Sequence, residues 1–157
     1  MTTPLIILAL LFIPALAGLI FERMHGQRGA GRVGAGLGLA IAFGFFASGH
    51  FIMIDEMVEM LPEWVPERRL LVIATGVLEI IIALGLAWGR SRKFAGYVAA
   101  AVLVLFFPAN VYAAINGVGP GGHQWGPEYL WIRAPLQVFV FGWAYWFIIR
   151  ERKKMAL

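Results

Sequence analysis

"LLVIATGVLEIIIALGLAWGRSRKFAGYVAAAVLVLFFPANVYAAIN", residues 70–116, holds two long apolar runs joined by the short basic turn "RSRK". The runs are Leu70–Gly89 and Phe94–Asn116. Each reaches the ~20 residues that a helix needs to cross about 30 Å of hydrocarbon. Working outward, two more runs precede them, at about 4–21 and 33–54. Another follows from Pro135 to Ile149, and Trp131 and Ile132 extend it outward, giving a span of about 132–149. The expected fold is all-α: a polytopic membrane helix bundle with five transmembrane helices, forming one domain over residues 1–157.

Composition agrees. The chain is 61% hydrophobic and 14% charged. A soluble domain has roughly 45–50% apolar and about 25% charged residues. There is no cysteine, which excludes disulfides, thiolate catalysis and dithiol relays. The pI near 9.9 is read as the basic bias of cytoplasmic loops, not as nucleic-acid binding.

The charges sort with the spans. Arg23, Arg28 and Arg32 follow the first run, and Arg90, Arg92 and Lys93 fill the "RSRK" turn. Arg150, Arg152, Lys153 and Lys154 follow the last. With five spans, these ten of the thirteen basic residues share one side. Arg68, Arg69 and Arg133 fall on the other, with six of the nine acids. The positive-inside rule places the N-terminus outside and the C-terminus in the cytoplasm. "ALAG", 15–18, has the look of a signal-peptidase site. No Lys or Arg precedes that run, so it is read as a retained helix.

Gly31, Gly34, Ala35 and Gly38 give one helix a small-residue face, which is expected to pack inside the bundle rather than in a dimer. The loop 116–127, "NGVGPGGHQWGP", is too rich in Gly and Pro for a helix and is expected to be a mobile outer loop or lid. "WAYWF", 143–147, is read as an aromatic belt.

Polar groups in hydrocarbon are costly and mark sites. Glu79 stands nine residues into its span, about 14 Å deep by helical rise. Thr75 is one turn outward on the same face. Asn110 follows Pro108, whose ring frees a backbone carbonyl and is expected to kink the helix. His50 ends the second span, and Arg133 and Gln137 begin the fifth. If these groups face inward together, they outline a polar pocket opening outward, with Glu79 at its floor. The acidic segment "DEMVEMLPEWVP", 55–66, then becomes interfacial, with Met57, Met60, Leu61 and Trp64 on lipid or across the pocket. Against this stands a plainer role for Glu79, tying helices together by hydrogen bonding. His50, Asp55, Glu56 and His123 lack HxxxH or ExxH spacing, so no metal site is assigned. No Walker, G-x-G-x-x-G or G-x-S-x-G motif occurs.

Five motifs together resemble the DoxX-like family of small bacterial membrane proteins, which includes the methylamine-utilisation MauE-like proteins. They are His50–Phe51, Pro62–Trp64–Pro66, Thr75–Gly76–Glu79, "FPAN" at 107–110 and "RAPLQ" at 133–137. The resemblance covers about 40–146. It implies a four-helix core, to which this chain adds its first span, and a bacterial plasma-membrane location. Proteins of this kind are named as subunits of a thiosulfate:quinone oxidoreductase, as maturation factors, or as membrane partners of redox enzymes. Related disulfide-generating quinone enzymes need cysteines that this chain lacks.

The expected function is an accessory or ligand-binding subunit of a membrane redox system. Its partners would be the lipid bilayer and a partner subunit or a second copy. Its ligand would be a small apolar molecule, a quinone or lipid, held by His50, Thr75, Glu79, Asn110, Arg133 and Gln137. The alternative is a membrane-embedded oxidoreductase acting on a small substrate at the outer leaflet, with His50 and Glu79 as the catalytic pair. A transporter is disfavoured, since there is no second midplane charge and no inverted repeat.

Overall fold

A computed structural model describes residues 2–150. The basic residues Arg152, Lys153 and Lys154 lie outside the described residues. The described chain is all-helical. The long helices are α1 (Thr2–His25), α2 (Ala30–Ile52), α4 (Arg68–Ala87), α5 (Arg92–Asn116) and α6 (Leu130–Ala144). A short α3 (Ile54–Glu59) lies between α2 and α4, and a π-helical turn, Tyr145–Ile149, continues α6. Five helical segments are long and apolar enough to cross a membrane, the last spanning Pro127–Ile149. That start precedes the expected residue 132, and Arg133 lies in the first turn of α6. Helix α5 runs on through Pro108 without a break.

Side-chain pattern sets the packing. Phe43, Leu39, Ile7, Leu11 and Leu86 are fully buried between helices. Leu5, Leu70, Leu84, Leu105 and Val138 point outward from the bundle, as an apolar solvent allows.

The small-residue face of α2 seats α1. A Cβ on Gly34 would stand 2.1 Å from the Pro14 carbonyl oxygen, and one on Gly38 2.7 Å from that of Leu11. Only glycine lets the two backbones meet there. The stripe is thus consumed inside the bundle, as its sequence suggested.

The helices alternate between two ends. One carries the α1–α2 and α4–α5 turns and is basic; the other carries α3 and residues 117–129 and is acidic. The basic end is tied together by hydrogen bonds from arginines to backbone carbonyls. Arg32 donates to the carbonyls of Phe147 (3.0 Å) and Arg150 (2.9 Å), which the π-helical turn leaves free. Arg92 donates through Nε to Leu86 O (2.8 Å) and through Nη2 to Ala87 O (3.2 Å), satisfying the end of α4. Trp143 is buried and its Nε1 donates to Ala35 O at 3.1 Å. The aromatic-belt reading therefore fails for Trp143, which has a backbone acceptor inside the bundle. Tyr145 and Trp146 are exposed.

At the acidic end the helices part. Arg69 pairs with Asp55 at 2.6 Å, tying α4 to α3; both side chains are exposed, so the pair adds little stability. Residues 117–129 are not featureless. They form two 3-10 turns, His123–Trp125 and Pro127–Tyr129, and pack downward. Gly119 and Gly122 have φ of 87° and 112°, a region closed to most L-residues. They bring the chain against Met60 and the Tyr129 ring, where a Cβ would stand within 2.6 Å.

Candidate functional site

Between the parted helices lies a cavity of about 590 Å³, within the range of small-ligand sites, roughly 300–1,000 Å³. Its wall is mostly apolar, from Ile7 of α1, Phe43 and Phe46 of α2, and Phe106 of α5. Met57, Met60 and Leu61 roof it together with Pro120 and His123. Trp64, expected on lipid or across the pocket, is 82% exposed and outside the lining.

The polar side chains gather in this cavity. His50, Thr75, Glu79, Asn110, Arg133 and Gln137 all line it. They come from four helices, α2, α4, α5 and α6.

Gly76 explains how α2 and α4 bring three of them together. A Cβ there would meet His50 Cβ at 2.6 Å and the Phe51 ring at 3.1 Å. Without one, α4 lies close enough for His50 Nδ1 to donate to Val72 O at 2.8 Å. Thr75 Oγ1 stands 3.2 Å from the same nitrogen and itself donates to Leu71 O and Val72 O. The other ring nitrogen, Nε2, then faces Glu79 Oε2 at 3.4 Å. Glu79 is 4% exposed. The contact is longer than an ordinary hydrogen bond, and Glu79 Oε2 has no hydrogen-bond partner among the described residues.

The other two helices build a second polar group. Arg133 Nη2 donates to Asn110 Oδ1 at 3.2 Å. Asn110 Nδ2 donates to Phe106 O at 2.9 Å, so Asn110 does serve the backbone of α5, but at Phe106 rather than at the carbonyl that Pro108 frees. Gln137 Nε2 donates to Leu103 O. Arg133 Nε is enclosed and has no partner among the described residues.

His123 joins them from the roof. It is 4% exposed. Its Nδ1 donates to Pro120 O at 2.6 Å, its ring stands edge-on to Tyr129 at 5.1 Å, and its Nε2 has no described partner. Burial holds its pKa below the ordinary 6.5, and the nearby Arg133 charge acts in the same direction.

Sequence reasoning did not include His123, Tyr129, Met53 or Ile7 in this pocket. For His123 a signal existed: it is a histidine in a Gly- and Pro-rich segment at the same end as His50. For Ile7 there was none, because nothing in an apolar helix tells which face meets a cavity.

Among the described residues, no three histidine or acidic side chains lie together in a group that could hold a metal ion.

Residues 39–148 match the model of a family described as a domain of unknown function, DUF8561. The chain belongs to the DUF8561 family. Every polar residue named above as lining the cavity lies inside the DUF8561 match, whereas α1 and the first turns of α2 precede it. No curated protein and no solved structure matches the chain.

Proposed function

We propose that this protein binds a small apolar molecule with a polar head, of the quinone or lipid class, inside its bundle. It would serve as an accessory subunit of a membrane redox system, in the manner of the DoxX-like proteins it resembles. The observation that carries the reading is the apolar cavity lined by residues with three buried polar atoms that have no hydrogen-bond partner among the described residues: Glu79 Oε2, Arg133 Nε and His123 Nε2. A buried polar atom without a partner costs about 1–3 kcal/mol, and a ligand head would supply the missing bonds. The apolar wall would take the rest of the ligand. His50 and Glu79 would hold a proton beside that head.

The site would open on the outer side of a bacterial plasma membrane, with the basic end in the cytoplasm. The test is native mass spectrometry of the protein released from its own membranes in nanodiscs, with thermal shift on adding a short-tailed quinone or phospholipid. A co-purifying small molecule, lost from the His50→Ala/Glu79→Gln variant, is the expected result. Absence of both the adduct and any thermal shift sinks the reading.

The second reading is an oxidoreductase using His50 and Glu79 as acid and base. The 3.4 Å approach of Nε2 to Oε2 favours it. Under catalysis, either single substitution abolishes turnover while the fold survives; under binding alone, there is no turnover to lose.

A further inference from the structure

The hydrogen bonds of the two cavity histidines decide what kind of head the ligand carries. A backbone carbonyl only accepts, so the nitrogen bonded to it must hold the ring proton. His50 Nδ1 is bonded to Val72 O at 2.8 Å, and His123 Nδ1 to Pro120 O at 2.6 Å. Each neutral ring therefore presents Nε2 as a bare acceptor. At His50 that acceptor faces the Glu79 carboxyl at 3.4 Å. At His123 it faces nothing in the described chain, although the ring is almost wholly buried at the cavity roof. Arg133 Nε, which can only donate, is the unpaired group of opposite sense lining the same cavity.

A hydroxyl can donate its proton to His123 Nε2, whereas a bare carbonyl only accepts and leaves that lone pair buried and unmet. Arg133 Nε is served equally by a hydroxyl or a carbonyl oxygen, so the choice between them falls to His123.

We propose that the chamber selects a lipophilic phenol or quinol, with His123 as the acceptor that reads its hydroxyl. This rests on the reading of the cavity as a ligand site and narrows its ligand to the hydroxyl-bearing form. The expected discrimination is large, because a site built to bond a hydroxyl rejects an analogue lacking it by leaving its own polar group unpaired.

The test compares three probes with the same decyl tail: a benzoquinol kept reduced, its quinone, and the quinol's bis-methyl ether. Equilibrium binding is measured on the full chain in nanodiscs, corrected for partition into lipid. The quinol is expected to bind roughly tenfold or more tighter than either other probe. In His123→Phe the quinol should weaken to the level of the ether, whose own affinity stays unchanged. Equal affinities, or a tighter quinone, overturn the hydroxyl preference and leave the cavity as a ligand site. No saturable binding by any probe overturns both. The probe series runs on the unaltered protein, so it decides the matter even if the variant fails to fold.

Discussion

His50 and Glu79, twenty-nine residues apart in the chain, meet at 3.4 Å through Nε2 and Oε2. The meeting depends on a third residue that touches neither carboxyl nor imidazole nitrogen. Gly76 lets α4 come close enough to α2 for His50 Nδ1 to donate to the Val72 carbonyl, which orients the ring.

Removing one member of this pair is expected to cost more than removing both. His50→Leu leaves a buried carboxyl without its neighbour and should destabilise by about 3 kcal/mol. The double variant His50→Leu/Glu79→Leu should recover most of that loss. Chemical denaturation in mild detergent measures both. Additive losses would show that the two side chains do not act as a unit.

Gly76→Val should separate α2 from α4 and disrupt the His50–Glu79 contact while leaving both of those residues in the sequence. The nearest obstruction is the His50 Cβ at 2.6 Å, which cannot move aside without the backbone. A stability loss of about 1–3 kcal/mol is expected from such overpacking. Ligand affinity should fall with it, read by the same binding measurement on wild type and variant.

Gly34→Leu acts elsewhere. It drives a side chain into the Pro14 carbonyl and should lift α1 off the bundle. Cross-linking between α1 and α2 should be lost, while the α2–α4 pair that bears His50 and Glu79 persists. Retained α1 cross-linking would contradict the close approach.

The pH dependence of the roof follows from His123. Its pKa lies below 6.5 because burial disfavours the charged ring. The open loop, with an ordinary histidine, takes up a proton first as pH falls. Closure is therefore strongest above about 6.5 and weakens as pH drops from there toward the depressed value. Protection of 117–129 against hydrogen exchange, corrected for the intrinsic rate, should fall as pH drops below about 6.5. The His123→Gln variant should show no such change beyond the intrinsic rate.

Orientation can be read directly because the chain lacks cysteine. In intact cells, the Glu63→Cys variant should react with a membrane-impermeant maleimide and the Arg90→Cys variant should not. The reverse pattern would invert the topology proposed from the charges.

The five spans were legible because hydrocarbon imposes a length, and each apolar run satisfies it locally. The α1–α2 glycine contact was legible for the same kind of reason: Gly34 and Gly38 recur at the spacing of one helix face. Glu79 stood out because a carboxyl at that depth requires a partner.

What the partner is, the sequence left open. A hydropathy pattern says that a helix crosses, not how it is rotated. Whether His50 faces Glu79 or lipid depends on α2 and α4 packing through Gly76. Placing His123 over the cavity depends on a chain path through several left-handed glycines that no periodicity describes. Trp143 looked like its belt neighbours in sequence and differs from them only by pointing at Ala35 O. The sequence by itself determined the spans, their lengths and the polar residues they contain, since burial in lipid acts on each segment alone. The tertiary structure decided which polar groups meet and which atoms stay unpaired, since those depend on helix rotation and approach, set by packing between segments distant in the chain.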